Sequence, residues 1–501
     1  MSLPRPDLKP NTYEYETEPL ITPNGFREYD ARWLFGKEIN LLGVEALGLG
    51  LGTLFHECNR VAGAVPKVAT GHDFRSYSLS IKEALAIGLL RAGCEVIDIG
   101  MVTTPVSYFA QFALDAPCVA MVTASHNENG WTGVKMGAER PLTFGPDEMQ
   151  RLKNIVLNGK GVARSGGSFS RVHDIRVRYL DAITEGHRLS RPMRVAVACG
   201  NGTAGAFGPE ALRRVGAEVI EVDCALDYTF PNYNPNTEDM HMLHAMADAV
   251  RAHDAELCIG FDGDGDRCGV VDDKGEEIFA DKVGVLLARD LSARFSGARF
   301  VVDVKSTGLF ETDPVLGERG VVTDYWKTGH SYIKRRTAEL QALAGFEKSG
   351  HYFFNPPIGR GYDDGIVAAI AVLEMLDRSG RKMSQLVASL PRTWGSPTMA
   401  PYCPDNSKYA VVNALTKEYK RLQARGETLL GQNIARVITV NGVRVALEDG
   451  TWGLVRASSN KPSLVVVVES PTSEANMRAM FKDIDARLSK HPEVGEYDQK
   501  I

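Results

Sequence analysis

The sequence has little cysteine, with eight residues scattered along 501 and none in a C-x-x-C pair. That absence argues against a cysteine zinc site and against a paired redox motif. Scattered, reduced thiols are typical of the cytoplasm. The N-terminal segment Met1–Leu20 contains no apolar core, so no secretory signal is expected there. We therefore expect a cytoplasmic protein.

Long apolar runs and an excess of positive charge are also missing. The longest apolar run, Leu41 to Phe55, contains Glu45 and four glycines, so no transmembrane helix is expected. Lys plus Arg number 57 against 63 Asp plus Glu, a net charge of −6. Such a chain is not built to coat nucleic acid or an anionic membrane. With 44% hydrophobic residues it can form several cores, and its length suggests about three to five domains.

Helix-then-strand units recur along the chain. A helical stretch leads into R-x-G-x-E-V-I at Arg91–Ile97 and again at Arg214–Ile220, with a weaker echo at Gly317–Tyr325. Continuous apolar strands that alternate with helices indicate buried, mostly parallel sheets. The pattern predicts three related mixed α/β domains and a smaller α+β C-terminal domain. The predicted domain limits are 1–170, 171–276, 277–394 and 395–501.

A serine stands on a polar loop in the segment Thr123–Lys135, directly after the strand-like run Cys118–Val122. Ser125 and Glu128 fit the S-x-x-E pattern of a helix cap. That interpretation requires an amphipathic helix next, but Asn129-Gly130 and Gly133 instead indicate a turn-rich loop. A serine held on such a loop, beside a histidine and a lysine, is a candidate nucleophile.

Three aspartates alternate with glycines in Gly260-Phe-Asp-Gly-Asp-Gly-Asp-Arg267, after the strand-like Glu256–Ile259. Carboxylates this close repel one another unless a cation neutralises them. An EF-hand is excluded because its sixth and twelfth positions would be Arg267 and Asp273 instead of Gly and Glu. The oxygen-only ligand set predicts a hard cation such as Mg²⁺. Arg267 adds positive charge at the same rim.

A glycine-rich turn offers a competing function. Gly200-Asn-Gly-Thr-Ala-Gly205 follows the strand-like Met193–Cys199 and precedes a helix, and Asp223 lies at the end of the next strand. That spacing satisfies the dinucleotide-binding fingerprint. An NAD-dependent sugar-phosphate dehydrogenase therefore stays open as an alternative. The same turn can also occur in any parallel α/β unit.

Three further loops combine charged and hydroxyl side chains. They are Thr328–Lys334 with Lys305 upstream, Gly345–His351, and Arg456–Lys461. The first has donors suited to an anion, and the second has groups suited to sugar hydroxyls. The third combines a guanidinium, hydroxyls, an amide and an ammonium, a set suited to phosphate. Each is also compatible with an ordinary exposed turn.

Together these motifs resemble the α-D-phosphohexomutase family over nearly the whole chain, and they are most similar to its bacterial phosphomannomutase/phosphoglucomutase branch. Thr123–Asn127 resembles the phosphoserine loop, Asp262–Arg267 the metal loop, Glu347–His351 the sugar loop and Arg456–Ser458 the distal phosphate loop. Phe26–Arg32 resembles the family's F-R-x-Y-D-x-R. The resemblance implies four domains around a central active-site cleft.

The resemblance also implies roles for individual residues. The catalytic set would be Ser125, Arg32, Lys135 and His330, and either Lys135 or His330 would serve as general acid and base. The metal ligands would be Ser125, Asp262, Asp264 and Asp266. The substrate-binding set would be Tyr29, Arg267, Lys305, Glu347, Ser349, His351, Arg456, Ser458, Ser459, Asn460 and Lys461.

The reaction implied is the interconversion of hexose 1-phosphate and hexose 6-phosphate, of mannose or glucose or both. It would use one Mg²⁺ per active site, a phosphoserine, and a hexose 1,6-bisphosphate as intermediate and activator. The expected partners are sugar phosphates, with no nucleic acid or membrane, in a monomer or homodimer. Phosphoglucosamine mutase and a non-catalytic sugar-phosphate binder remain alternatives, although the R-x-S-G-T-E loop usual in the glucosamine branch is absent.

Overall fold

The computed structural model describes residues 3–58, 63–459 and 461–501. The chain forms two compact units. The first unit comprises Met1–Ala280 and Ser349–Ser384, and the second comprises Asp281–Lys348 and Gln385–Ile501. All eight cysteines are free thiols.

The first unit begins with a six-stranded sheet. Its strands are β1 Asp30–Leu34, β2 Lys67–His72, β3 Glu95–Met101, β4 Cys118–Val122, β5 Trp131–Gly137 and β6 Ser168–Arg171. Their spatial order is β1-β5-β4-β2-β3-β6. Strands β2, β3, β4 and β6 are parallel, and β5 runs antiparallel to β4 and β1. All five residues of β4 are buried, as expected for a central strand covered on both faces.

The α-helices described for this part of the chain are α1 Tyr13–Thr17, α2 Leu41–Cys58, α3 Ser78–Arg91, α4 Thr104–Ala113 and α5 Pro146–Leu157. Helices α2 and α3 cross where both have glycine. A Cβ on Gly48 would lie 2.3 Å from the Leu85 carbonyl oxygen, and one on Gly88 would lie 2.2 Å from the Glu45 carbonyl oxygen. The two backbones therefore approach too closely for any side chain.

The apolar run starting at Leu41 forms one continuous helix that includes its four glycines and Glu45. Among the described residues, α2 is the single helix whose length and composition suit a membrane crossing. Of its 18-residue window, 67% is buried inside the structure, and it packs against α3 and α5. This burial is typical of a core helix.

A five-stranded sheet follows. Its strands are β7 Met193–Ala198, β8 Ala217–Val222, β9 Leu257–Phe261, β10 Cys268–Val271 and β11 Glu277–Ile278, and its helices are α6 Ile175–Thr184, α7 Gly208–Arg214 and α8 Met240–His253. The order is β11-β10-β9-β7-β8. Strands β8, β7 and β9 are parallel, whereas β10 pairs antiparallel with β9 and β11.

The predicted repeat corresponds to a shared helix–turn–strand unit. In the first two copies α3 leads through Gly93 into β3, and α7 leads through Gly216 into β8, with φ angles of 81° and 105°. Left-handed backbone favours glycine because glycine has no Cβ to clash. The motif thus marks the same turn in two successive sheets, which confirms the predicted relation between these α/β domains.

The third α/β region lies largely in the second unit. Its elements are α9 Ala280–Arg294, β12 Arg299–Asp303, α10 Leu309–Thr312, α11 Pro314–Glu318, β13 Val322–Trp326, α12 His330–Glu339 and β14 Ala344–Phe346. Strands β13 and β14 flank β12, and both run parallel to it. The next elements are β15 Tyr352–Phe354 and α13 Gly365–Ser379, in the first unit, and α14 Met383–Ala388, which begins in the first unit and continues into the second.

The C-terminal region is α+β, as predicted. Its elements are β16 Trp394–Gly395, α15 Lys408–Ala424, β17 Ile434–Ile438, β18 Val443–Leu447, β19 Trp452–Ala457, β20 Leu464–Ser470 and α16 Glu474–Leu488. The sheet order is β16-β20-β19-β18-β17, and every neighbouring pair is antiparallel. Residues of α15 and α16 share one hydrophobic core with this sheet.

Candidate active site

Two loops of the first unit meet at the carboxyl ends of parallel strands. One follows β4 and contains Ser125, and the other follows β9 and contains the three aspartates. A Cβ on Gly263 would lie 2.6 Å from the Ser125 carbonyl oxygen, so the two backbones are in contact. Carboxyl ends of parallel strands are where open α/β sheets bind their ligands.

Ser125 is buried, and its backbone adopts a left-handed conformation with φ of 52°. Its N–H donates to the Thr123 hydroxyl at 2.9 Å. The Oγ donates to Asp262 Oδ2 at 3.1 Å and lies 3.2 Å from Nδ1 of His126. A non-glycine residue in this region of φ and ψ costs about 1 kcal/mol or more. The loop therefore holds the hydroxyl in an unusual but defined position beside a carboxylate.

The three aspartates converge as predicted. Asp262, Asp264 and Asp266 are each fully buried, and one carboxylate oxygen of each lies within 4.8 Å of the others. Asp264 Oδ2 accepts hydrogen bonds from Thr104 Oγ1 at 2.6 Å and from Lys135 Nζ at 2.8 Å. The same ammonium pairs with Asp266.

The charge balance at this cluster favours a cation. Burial and the charges of its two neighbours raise the pKa of Asp262. Burial also acts to raise the pKa of Asp264, but the Lys135 ammonium outweighs it and the pKa falls. Among the described residues, Oδ1 of Asp264 and Oδ1 of Asp266 are buried without a hydrogen-bond partner. Lys135 and Arg267 thus leave two buried aspartate oxygens without a donor, and a hard divalent cation would supply what is missing.

Two arginines flank this cluster. Arg32 donates from Nε to Asp30 at 3.0 Å and from Nη1 to the Asn127 side chain at 2.6 Å, which ties β1 to the Ser125 loop. Arg267 Nε lies 3.7 Å from Asp262 Oδ2. Both guanidinium groups are largely buried. Tyr29 is also buried, directly before β1.

His351 and Asp363 complete the site in the first unit. Arg267 Nε donates to His351 Nε2 at 3.0 Å, and His351 Nδ1 lies 3.0 Å from Asp363 Oδ2. Nδ1 is also 3.6 Å from Asp266 Oδ1. Burial alone would lower the pKa of His351, but the neighbouring Asp266 charge and the hydrogen bond to Asp363 raise it. Ser349 stands two residues before this imidazole and is buried.

Three predicted residues of the second unit follow neighbouring parallel strands. Lys305 follows β12, His330 follows β13, and Glu347 follows β14. All three are buried. The Gly329 N–H donates to Glu347 Oε1 at 3.3 Å, which links the second and third of these loops.

A buried carboxylate, Asp303 at the end of β12, holds the same loops together. It accepts hydrogen bonds from the Ser306 hydroxyl at 2.5 Å, the Thr328 hydroxyl at 2.9 Å and the Lys348 N–H at 3.2 Å. These donors flank Lys305, His330 and Glu347 in sequence. The second unit thus brings its three predicted residues to one edge of the sheet.

The fourth predicted loop lies between β19 and β20. Arg456 and Ser458 are buried, and Lys408 Nζ donates to the Ser458 carbonyl at 2.6 Å and to the Lys461 carbonyl at 3.2 Å. This lysine from α15 therefore holds the backbone of the loop by hydrogen bonds to two of its carbonyl groups. Ser459 is partly exposed and Lys461 exposed, and Asn460 lies outside the described residues.

The chain is similar in sequence to known protein families over most of its length. Its sequence matches four families described as phosphoglucomutase/phosphomannomutase alpha/beta/alpha domains I, II and III and the C-terminal domain, over residues 23–162, 177–275, 279–394 and 402–487. The matched residues make up most of the chain, and they occur in that order.

The chain belongs to the phosphoglucomutase/phosphomannomutase family. A phosphomannomutase/phosphoglucomutase from Pseudomonas aeruginosa is 35% identical over 477 residues, 94% of this chain and 98% of that protein. A phosphoglucomutase from Neisseria gonorrhoeae is 34% identical over 455 residues, 91% of this chain and 95% of that protein. The X-ray structure of a phosphoglucomutase/phosphomannomutase family protein from Burkholderia thailandensis has a TM-score of 0.84 at 30% identity, covering 95% of this chain and 99% of that one. These findings confirm the predicted family and fold class.

The glycine-rich turn has a packing role in this family member. The Thr203 N–H donates to the Gly263 carbonyl at 3.1 Å, and a Cβ on Gly202 would lie 3.1 Å from the Gly263 Cα. A Cβ on Gly205 would lie 2.1 Å from the Cys224 carbonyl oxygen. Close packing against the aspartate loop and β8 therefore accounts for these glycines. The dehydrogenase alternative is not favoured.

The structure adds several residues to the site that were not predicted from the sequence. They include Asp363, Thr104 and Asn127. One local signal was available for Asp363, because Asp363-Asp364 precedes an apolar helix. The Asp364 side chain accepts from the N–H groups of Ile366 and Val367 and so caps α13. Asp363 does not cap the helix in this way, and its side chain contacts His351.

A buried glutamate of the C-terminal region anchors the Lys305 loop within the second unit. Glu469 Oε1 accepts from the Thr307 hydroxyl at 3.0 Å, the Gly308 N–H at 2.8 Å and the Trp452 indole N–H at 3.0 Å. We expect Glu469→Ala to leave these donors unsatisfied, at about 1–3 kcal/mol for each that stays buried. Thermal and urea denaturation should both show a clear loss of stability.

Glu474→Ala is the matched control for that loss. Glu474 is exposed and pairs with Arg478 one helical turn away, a contact typically worth about 0.3–0.5 kcal/mol. Equal midpoints for the Glu469 and Glu474 variants would contradict the anchoring role.

Proposed function

We propose that this protein is a phosphohexomutase that interconverts hexose 1-phosphate and hexose 6-phosphate, of mannose, glucose or both. Phospho-Ser125 transfers its phosphoryl group to the free hydroxyl of the bound sugar phosphate. The resulting hexose 1,6-bisphosphate turns over and returns its other phosphoryl group to Ser125. The bisphosphate is therefore both the intermediate and the activator.

One observation supports this proposal above all. The Ser125 hydroxyl lies 3.1 Å from Asp262, within a buried cluster of three aspartates and Lys135. Phosphoryl transfer depends mainly on positioning and on stabilising charge on the phosphoryl oxygens. A hydroxyl fixed beside a cation-binding carboxylate cluster meets both requirements.

Ser125, Asp262, Asp264 and Asp266 are the residues we propose to hold one Mg²⁺ per active site. Carboxylate oxygens and a hydroxyl or phosphate oxygen suit this ion, and the described ligand set contains no soft donor. When bound, Mg²⁺ neutralises charge on the phosphoryl oxygens. Within the described part of the chain, Oδ1 of Asp264 and Oδ1 of Asp266 are buried without a hydrogen-bond partner, which supports the assignment.

The cationic side chains take different roles in this proposal. Arg32, Lys135 and Arg267 hold charge around the transferring group. Burial alone would lower the pKa of Lys135, but the adjacent aspartates raise it. Lys135 or His330 is proposed as the general acid and base.

The remaining predicted residues are proposed to bind the substrate. Glu347 and Ser349 would contact O3 and O4 of the hexose, with Tyr29, His351 and Lys305 assisting. The loop Arg456–Lys461 would bind the distal phosphate, since an arginine fork and hydroxyls suit that anion. Contacts at O3 and O4 do not read C2, where glucose and mannose differ.

The proposal extends to the setting of the enzyme. We propose a cytoplasmic monomer or homodimer that acts on small sugar phosphates and has no nucleic-acid or membrane partner. The near-neutral balance of 57 basic and 63 acidic residues supports this. The domain limits 1–170, 171–276, 277–394 and 395–501 belong to the same proposal.

Mannose 1-phosphate and glucose 1-phosphate, assayed side by side by phosphorus NMR with Mg²⁺ and bisphosphate activator, test this function. A site that hydrogen-bonded the C2 hydroxyl could discriminate by about 10⁴-fold. Because none of the proposed contacts reads C2, we expect both to be converted, with kcat/KM values within about tenfold.

Three other outcomes would point elsewhere. Conversion of glucosamine 1-phosphate alone would identify a phosphoglucosamine mutase. Binding of sugar phosphates without any isomer would indicate a non-catalytic binder. A change in nicotinamide absorbance on adding NAD and the sugar phosphate would revive the dehydrogenase alternative. Each would contradict the proposed mutase.

A further inference from the structure

The carbonyl groups of the Ser125 loop are held by residues from a neighbouring loop. Arg75 Nη2 donates to the Ser125 carbonyl at 3.0 Å and to the Asn127 carbonyl at 2.6 Å. The carbonyl between them, at His126, accepts from Asn234. Three successive peptide groups around the proposed nucleophile are thus fixed by side chains.

Arg75 is itself held by Asp73. Its Nη1 pairs with Asp73 Oδ2, and both side chains are 1% exposed. Asp73 Oδ2 also accepts from the Ala124 N–H at 3.2 Å, and Oδ1 accepts from the Ser78 hydroxyl at 2.5 Å. Asp73 therefore hydrogen-bonds to the backbone just before Ser125, and Arg75 hydrogen-bonds to the backbone just after it.

The topology explains why these residues can reach the serine loop. Asp73 directly follows β2, and Ser125 follows β4, its parallel neighbour in the first sheet. The carboxyl ends of the two strands therefore lie side by side. Because the guanidinium is paired with a carboxylate, the two together add no net charge. Their contribution to the site is geometric.

We propose that Arg75 and Asp73 are positioning residues that hold Ser125 in its left-handed conformation, with its Oγ directed at Asp262. This inference rests on the proposed function of Ser125 as phosphoryl carrier. Without the pair, the loop loses three hydrogen bonds that oppose relaxation of a strained residue. Misplacement of a reacting group by about 1 Å can cost about 10²-fold in rate.

Arg75→Met and Arg75→Lys test the proposal. We expect the Met variant to lower kcat by about 10²-fold with little change in KM, because Arg75 is buried and donates to the backbone of the Ser125 loop. Lysine keeps the charge but lacks the planar fork, so it should recover activity only in part. Phosphorylation of Ser125 by hexose 1,6-bisphosphate, followed by intact mass, should slow in parallel.

Lys82→Met is the matched control. Lys82 and Asp98 form another ion pair in the same unit, at 2.6 Å, with both side chains 1% exposed. Removing its cation also disturbs a buried ion pair, although Asp98 keeps the Arg171 guanidinium at 2.9 Å. None of the described contacts of Lys82 involves the Ser125 loop. We expect Lys82→Met to lose stability and to keep the wild-type kcat per folded molecule.

The outcomes separate the positioning role from the proposed function. Wild-type kcat and phosphorylation rate in a folded Arg75→Met variant would overturn the positioning role, as would an equal fall in kcat for Lys82→Met. If Arg75→Met does not fold, a wild-type kcat for Arg75→Lys would overturn it. An inactive wild-type protein with slowed Ser125 phosphorylation in the Arg75 variants would refute the mutase alone and leave the positioning role standing.

Discussion

Ser125→Ala is expected to lower mutase kcat/KM by about 10⁴-fold or more, because removing a nucleophile abolishes the covalent route and leaves only binding and electrostatics. The variant should also lack the mass of one phosphoryl group after incubation with hexose 1,6-bisphosphate. Backbone strain should change little, since alanine and serine meet the same restriction at a φ of 52°. The loss should therefore lie in kcat, without unfolding.

A second serine provides the control for this variant. Ser292 is buried in α9, and its hydroxyl donates to the Arg289 carbonyl at 3.1 Å. Ser292→Ala removes the same oxygen outside the proposed site and should keep wild-type activity. Interconversion at the normal rate by Ser125→Ala would refute the phosphoserine mechanism.

Asp262→Asn is expected to weaken Mg²⁺ binding by at least about 100-fold, since loss of supporting residues alone already costs about 10–100-fold. Activity should fall by about 10²–10³-fold, the cost of removing one electrostatic contribution of this kind. For the wild type, Mg²⁺ at about 100 times its Kd should add about 2.7 kcal/mol of stability. Calorimetric titration and thermal denaturation measure both effects.

The same substitution should act in the opposite direction on the metal-free protein. Burial and two neighbouring carboxylates disfavour charge on Asp262, so a neutral amide of the same shape relieves repulsion. We expect the metal-free variant to unfold at the wild-type temperature or above it. Asp272→Asn is the control, because Asp272 is buried in the turn after β10 and caps the N–H groups of Lys274 and Glu276. If Asp262→Asn bound Mg²⁺ with the wild-type affinity, Asp262 would be excluded as a ligand.

Local sequence was enough to predict the parts of the fold and site that depend on local chemistry. The turns at Gly93 and Gly216 both require a left-handed backbone, and so glycine occurs at the same place in the two R-x-G-x-E-V-I segments. The Asp262–Asp266 run places three carboxylates so close together that they repel one another unless a cation neutralises them. Both loops follow apolar strands in the sequence, and the structure places them at the carboxyl ends of parallel strands, where open α/β sheets bind ligands.

Residues that act through a distant partner could not be predicted in this way. Asp363 orients His351, and Arg75 holds the Ser125 loop, but neither stands in a motif that names its partner. Their roles appear only when separate strands bring them together. Thr104, whose hydroxyl reaches Asp264 at 2.6 Å, is a further example.

The glycine-rich turn shows why a spacing pattern can mislead. Gly202 and Gly205 satisfy the dinucleotide fingerprint because both that function and this packing require backbone without a side chain. The sequence cannot tell whether a phosphate or another loop occupies the space. Here the Gly263 backbone packs against Gly202, and the Cys224 carbonyl packs against Gly205.

The left-handed backbone at position 125 restricts which amino acids can evolve there. Threonine carries an equivalent hydroxyl, but its branched Cβ is poorly accommodated at positive φ. Glycine and asparagine suit the conformation but offer no alcohol to phosphorylate. Serine alone combines an unbranched side chain with an alcohol, so the chirality of the peptide and the chemistry of the phosphate ester together select one residue out of twenty.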